Sequence, residues 1–146
     1  MAAGGALDRA RVGGVIDHQR FVPWPHPSPL LTALGGFEQD PEDRLRIGFL
    51  VDTNKVNARG FLHAGAIAAI ADAAIGHSLA SGSDRPQGLV TINLSCDLLG
   101  TANLGDWVDG TVHPTRNGRR LAAGSILFTT DRPIATVTAL FVPTAA

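Results

Sequence analysis

The chain has 146 residues, of which 45% are hydrophobic and 17% charged, and its formal net charge is −1. That length and composition fit one globular domain with a single core and exclude a disordered chain; the charge offers no basic surface for nucleic acid. The one cysteine, Cys96, excludes an intrachain disulfide and a cysteine-based zinc site, and no metal is expected.

Met1 to Gly14 is rich in Ala and Gly with scattered Arg and lacks the apolar stretch of a signal peptide. Residues 1–20 are therefore expected to form a frayed tail and residues 21–146 a single domain, with a cytoplasmic location as the default. Val22 to Pro29 holds four prolines, which remove backbone donors and fix φ, so it reads as an extended lead-in. Ser28 is a suitable N-cap, with Pro29 at the first position of a short helix through Leu34 that Gly35-Gly36 would stop. Leu45 to Val51 reads as a strand, and Asp52 to Phe61 as a loop containing Asn54, Asn57 and Gly60. A long helix follows from about His63 to Ser81, ended by Gly82-Ser83-Asp84-Arg85-Pro86. Its Ala, Gly, His and Asp content makes it a poor membrane span.

The C-terminal half is strand-like at Leu89–Leu98, Trp107–Thr115, Arg120–Thr130 and Ile134–Val142. Asn117-Gly118 suits a type I′ hairpin turn, and Asp131-Arg132-Pro133 a second tight turn, so the last three strands form an antiparallel meander. The order of one strand, one long apolar helix and four antiparallel strands predicts an α+β domain. A curved sheet wrapped around the helix would bury it.

Asp72 is the anomaly in that helix. A carboxylate among Ala and Ile costs free energy unless it is paired or used. Its neighbours at helical spacing are Gly65, Ala68, Ala69, Ile75, Gly76 and Leu79, mostly small. Such a stripe allows close packing or leaves room for a ligand, beside which a carboxylate can act as base or nucleophile. The first turn, His63-Ala64-Gly65, carries backbone N–H groups without intrahelical partners, which attract charge developing on a carbonyl oxygen. Gly65 lies roughly 10 Å along the axis from Asp72, too far for one helix to hold a reacting carbonyl between them. Two copies of the helix meeting at a homodimer interface would remove that difficulty. Asn57, His63 and Thr91 are polar residues able to orient water. A hydratase or dehydratase would instead need an Asp–His pair; His77, about 140° around the helix from Asp72, cannot supply it.

The run Asn57-Ala58-Arg59-Gly60-Phe61-Leu62-His63-Ala64-Gly65, with Asp72 nine residues after His63, resembles the PaaI-type acyl-CoA thioesterases of the 4-hydroxybenzoyl-CoA thioesterase-like superfamily. Pro27-Ser28-Pro29-Leu30-Leu31 and Val90-Thr91-Ile92-Asn93-Leu94 are similar to that family as well, and the likeness covers roughly Phe21 to Val142. The resemblance implies a hotdog fold, an antiparallel sheet wrapped around one long central helix. It also implies homodimers, commonly paired into homotetramers, with sites at the dimer interface. It implies hydrolysis of an acyl-CoA to a carboxylic acid and free CoA, with no cofactor apart from the coenzyme A of the substrate, and no membrane partner. Asp72 would be general base or nucleophile, and the N–H of Ala64, with Gly65, would polarise the thioester carbonyl. Asn57 and His63 would shape the site, and Thr91, from the partner subunit, would help hold water. Arg119 and Arg120 could meet CoA phosphates, and Phe61 and Trp24 could line an acyl pocket. The family pattern His-Gly-Gly reads His63-Ala64-Gly65 here, which keeps the N–H but adds a methyl where the thioester approaches. A non-catalytic acyl-CoA-binding hotdog module is the alternative this substitution leaves open.

Overall fold

The computed structural model describes residues 18–83 and 88–144, with the backbone of two further short segments at 11–12 and 15–16. Of the tail expected over residues 1–20, residues 1–10, 13, 14 and 17 lie outside the described residues, as do the helix-ending residues 84–86. Strands β1 (Arg11–Val12) and β2 (Val15–Ile16) form a separate antiparallel pair. Packing onto the domain begins ahead of Phe21: the His18 ring stacks on Trp107 at 4.0 Å, and Arg20 pairs with Asp40.

The remaining elements are β3 (Val22–Pro23), α1 (Pro29–Ala33), β4 (Glu38–Gln39), β5 (Arg46–Leu50), α2 (Ala64–Ser81), β6 (Gly88–Leu98), β7 (Trp107–Asn117), β8 (Ala122–Thr129) and β9 (Pro133–Thr144). The proline-rich lead-in becomes a two-residue edge strand, where a missing donor is tolerated. Ser28 caps α1 by accepting the Leu31 N–H at 3.3 Å, and Gly35 and Gly36 then turn the chain at φ 84 and 70. Seven strands pair antiparallel in the order β3-β4-β5-β7-β8-β9-β6. Strand β8 shows why the sheet can hold a helix. Ala122, Gly124, Ile126 and Phe128 are buried on one face, while the alternate residues are half-buried.

The β7–β8 connection departs from the expected type I′ turn. Neither Asn117 nor Gly118 has positive φ, which that turn requires at both central positions. Asn117 instead stays in the ladder opposite Ala122, and Gly118 N–H donates to Leu121 O at 3.0 Å, giving a loop over residues 118–121. The reason lies outside the hairpin: Asn117 Nδ2 donates to Leu79 O at 2.8 Å, which holds this end of β7 against the helix.

Helix α2 is long and apolar enough to cross a membrane by length and composition, and here it is the core helix, packed against β6, β7, β8 and β9. Ala66, Ile67, Ile70, Ala71, Ala74, Ile75, Ser78 and Leu79 are buried. The expected burial on nearly every side does not occur within one chain. Ala68, Ala69, Asp72, Ala73 and Gly76 are only half-buried, because β6 is the last strand of the sheet and the helix flank beside it stays open. The small-residue stripe therefore divides, with Ile75 and Leu79 in the core, Gly76 against the Phe141 ring of β9, and Gly65, Ala68 and Ala69 on the open flank.

A polar network fastens the opposite end of the sheet. The Asp40 carboxylate is fully buried; it accepts two hydrogen bonds from the Arg20 guanidinium and one from Glu42 N–H at 2.9 Å. Arg46 lies 3.8 Å from it and also pairs with Asp109 at 3.1 Å. Burial by itself would raise the Asp40 pKa. The Arg20 hydrogen bonds, the Glu42 N–H and the charges of Arg20 and Arg46 outweigh burial and hold it below the ordinary value of 3.8. A depressed carboxylate stabilises the fold above its unfolded pKa and loses that contribution as pH falls through its folded pKa. Asp40→Asn is therefore expected to destabilise the protein by about 2 kcal/mol, a figure discounted because Arg20 is partly solvated. In denaturant titrations the gap between wild type and variant should be constant from pH 5 to 8 and shrink below the unfolded pKa. A gap independent of pH would remove the carboxylate's role.

Candidate active site

The loop before α2 is a small hairpin. Val56 bridges Leu62, Asn57 N–H donates to Phe61 O at 2.8 Å, and His63 N–H donates to Lys55 O at 2.8 Å. Asn57 Oδ1 accepts the N–H groups of Arg59 at 2.9 Å and Phe61 at 3.2 Å. Two backbone donors on one oxygen fix the amide orientation and leave Nδ2 without a partner among the described residues. Gly60, at φ 82, supplies the left-handed residue that lets the hairpin close. Lys55 is itself buried, its ammonium bonded to Asp52 at 2.9 Å, so the hairpin is anchored to the core at its base.

His63 is the N-cap of α2, an uncommon choice of residue. Its Nδ1 accepts the Gly65 N–H at 2.7 Å, which requires an unprotonated Nδ1. A Cβ at position 65 would lie 2.9 Å from that nitrogen, so glycine there is what allows the histidine to cap. Of the two amides expected to polarise a carbonyl, Gly65's is thus occupied. The N–H of Ala64 has no partner among the described residues and lies on an exposed surface. Ala64 takes an ordinary backbone conformation, since no described non-glycine residue has positive φ; its methyl is a steric matter only.

Ala64 and Asn57 face a cleft of about 630 Å³, which Arg59, Phe61, Leu62, Ile67 and Leu98 to Thr101 also line. Phe61 thus lines the same cleft as Ala64 and Asn57. Trp24 does not: it is buried, stacked on Phe37 at 4.6 Å, and lines a separate cavity of about 570 Å³ with Leu31, Phe49 and Trp107.

Asp72 forms a second cluster. Thr91 Oγ1 donates to Asp72 Oδ1 at 2.6 Å, so Thr91 is brought to Asp72 by its own chain. Relative to Ala64, which lies at the start of the helix, away from this pair, Thr91 and Asp72 form one unit. The device is a β-bulge between Thr91 and Asn93, where Ile92 has no ladder partner in β9. Strict alternation would send positions 91 and 94 to opposite faces, and the extra residue lets Thr91 reach the helix while Leu94 packs on the core. The bulge carries no residue-type signature here, so it is not legible in the sequence. Asp72 Oδ2 has no partner among the described residues.

Asp72 and Ala64 are separated by eight residues of one helix, or roughly 12 Å along its axis, and Asp72 does not line the cleft. His77 is engaged elsewhere: its ring lies 3.6 Å from that of His26 and 5.1 Å from Trp24. Burial lowers its pKa, with His26 and Arg44 adding to the effect. Arg119 and Arg120 sit on the exposed β7–β8 loop beside the Leu79 end of α2, away from the cleft.

A model of the thioesterase superfamily matches residues 59–134. A candidate esterase of Pseudomonas aeruginosa is 32% identical over 124 residues, which is 83% of this chain and 92% of that protein. Among solved structures, a candidate esterase from Mycobacterium tuberculosis superposes with a TM-score of 0.71 at 21% identity, over 82% of this chain and 98% of that one. A Bacillus halodurans protein solved with CoA superposes with a TM-score of 0.70 at 18% identity, over 82% of this chain and 78% of that one. These structural likenesses establish the hotdog fold. Together with the family match and the Pseudomonas relative, they lead to one conclusion: the chain belongs to the thioesterase superfamily.

Proposed function

We propose that the protein hydrolyses acyl-CoA thioesters at sites shared between two copies of the chain. The observation that carries this reading is the division of polar groups: an unpartnered Ala64 N–H in a cleft at one end of α2, and an Asp72–Thr91 pair on the open flank. The CoA bound to the Bacillus halodurans structure supports the substrate class.

The thioester carbonyl oxygen would accept the Ala64 N–H of one copy, with Asn57 Nδ2 beside it. Asp72 of the second copy would take a proton from water, while Thr91 holds Oδ1 and leaves Oδ2 for that water. The hydroxide oxygen bonds to the acyl carbon, the oxyanion forms at Ala64, and collapse breaks the C–S bond. CoA leaves as the thiolate or, if the proton is returned, as the thiol. In the variant mechanism an Asp72 carboxylate oxygen bonds to the acyl carbon, the C–S bond breaks as CoA thiolate leaves, and water then hydrolyses the resulting anhydride, releasing the carboxylic acid and restoring the Asp72 carboxylate. His63 shapes the site by capping the helix; Arg119 and Arg120 are the CoA-phosphate candidates drawn from the family resemblance.

Surface chemistry supports the shared site. Strand β6 is an unpaired edge of eleven residues, and Val90, Ile92 and Leu98 on it are 52%, 56% and 54% exposed. Beside it runs the half-open stripe of Ala68, Ala69 and Ala73. A long apolar edge next to an apolar helix flank is what a second copy of the same surface would cover.

Asp72→Ala is expected to fold normally and to lose thiol release from a panel of acyl-CoAs by at least about a hundredfold, the scale of a lost general base. Wild-type protein that binds CoA esters and releases no thiol would identify the binding module instead. Ala64→Gly should retain or raise turnover if the methyl merely crowds the cleft; abolished turnover would make the methyl part of the site. Sedimentation should give a dimer or tetramer, and Ile92→Asp, which charges the edge, should shift it towards monomer with loss of activity. A fully active monomer would refute the shared site.

A further inference from the structure

The arginines that the family resemblance points to for CoA are remote from the cleft, whereas another lines it. Arg119 and Arg120 follow Asn117, which is bonded to Leu79 O; Leu79 lies fifteen residues beyond Ala64, or roughly 22 Å along the helix. Arg59 lines the same cleft as Asn57 and Ala64. Its backbone N–H is held by Asn57 Oδ1 at 2.9 Å, and its guanidinium carbon lies 5.4 Å from the centre of the Phe61 ring. The backbone bond and the ring contact restrict a side chain that would otherwise move freely at the surface.

Position separates Arg59 from the other arginines of the fold: Arg116, Arg119, Arg120 and Arg132 also lack a carboxylate partner among the described residues, but they do not line the cleft. Arg20 and Arg46 are committed to Asp40, Glu42 and Asp109, and Arg44 donates to Ser78 O. Arg59 is exposed and has no carboxylate partner among the described residues. An unpaired guanidinium at the rim of an otherwise largely apolar cleft lowers the energy of an anion placed there, and its planar fork matches a phosphate in bidentate geometry. Phe61, Leu62, Ile67, Leu98 and Leu99 also line that cleft, giving apolar surface for an uncharged arm between a reacting thioester and a phosphate.

We propose that Arg59, braced on Phe61, is the residue that binds the phosphates of the CoA moiety, and that it selects CoA thioesters over thioesters lacking phosphate. The inference rests on the thioesterase reading. The test compares hexanoyl- and benzoyl-CoA with the same acyl groups on N-acetylcysteamine, which carries no phosphate. Arg59→Ala should raise KM for the CoA esters about tenfold, the scale of one charge-assisted contact, and change KM for the N-acetylcysteamine esters by less than about twofold. Arg59→Lys should recover part of the difference, because it restores the charge without the fork. Equal changes on both substrate types, or none on either, would overturn the proposal, since a merely structural arginine cannot distinguish them. Calorimetric titration of CoA itself keeps the two readings apart. A wild type that hydrolyses no thioester would sink the thioesterase reading, while weaker CoA binding by Arg59→Ala than by wild type would still support this one, and equal binding would refute it.

Discussion

A rigid helix cannot bring its own first turn and its own middle to one reacting atom. Ala64 and Asp72 are fixed by eighteen residues of continuous α-helix, and no side-chain rotation closes roughly 12 Å between a backbone N–H and a carboxylate. Much else in the domain follows from that separation. The sheet covers one side of α2 and leaves the flank with Asp72 open, and strand β6 at that flank has an apolar, unpaired edge. In the proposed assembly both deficits are met by one event, in which a second copy covers the edge and delivers the missing half of the site.

Small residues make the arrangement possible. Gly65 admits the His63 ring as a helix cap, and a Cβ there would collide with it. Ile75 packs onto Gly124 of β8, where a Cβ would lie 2.9 Å from its side chain, so helix and sheet approach closely on the buried side. Gly76 likewise lets the Phe141 ring of β9 approach the helix, while on the open side the small side chains of Ala68, Ala69 and Ala73 leave Asp72 room. The same composition thus serves tight packing on one face and access on the other.

The hairpin before α2 links the core to the chemistry. Lys55 is buried against Asp52, its carbonyl holds His63, and His63 caps the helix whose first N–H is the candidate oxyanion donor. Asn57 ties the same hairpin through two backbone donors and keeps its amide nitrogen for the cleft. Arg59 and Phe61 ride on this structure, so a guanidinium at the rim keeps a defined place relative to Ala64.

Local signals carried a large part of this into the sequence. Proline, the Ser28 cap, the glycine stops and the apolar periodicities placed α1, α2 and five of the strands, because each depends on a few neighbouring residues. The two-residue strand β4 has no such signal, and the Asn117 turn was misread because a distant carbonyl, that of Leu79, holds the asparagine in the ladder. Asp72, Asn57, His63 and Ala64 stood out because their types and spacing are unusual within one continuous stretch. Only tertiary structure brought Thr91 to Asp72, nineteen residues back along the chain, through a β-bulge that begins at Thr91. Tertiary structure likewise decided that Gly65's amide is spent on His63, that Arg59 rather than the hairpin arginines lines the cleft, and that one flank of the helix remains uncovered. These are properties of which groups meet across the fold; the His63 cap and the Arg59 contacts with Asn57 and Phe61 are local in sequence, and their geometry depends on the folded hairpin and helix start.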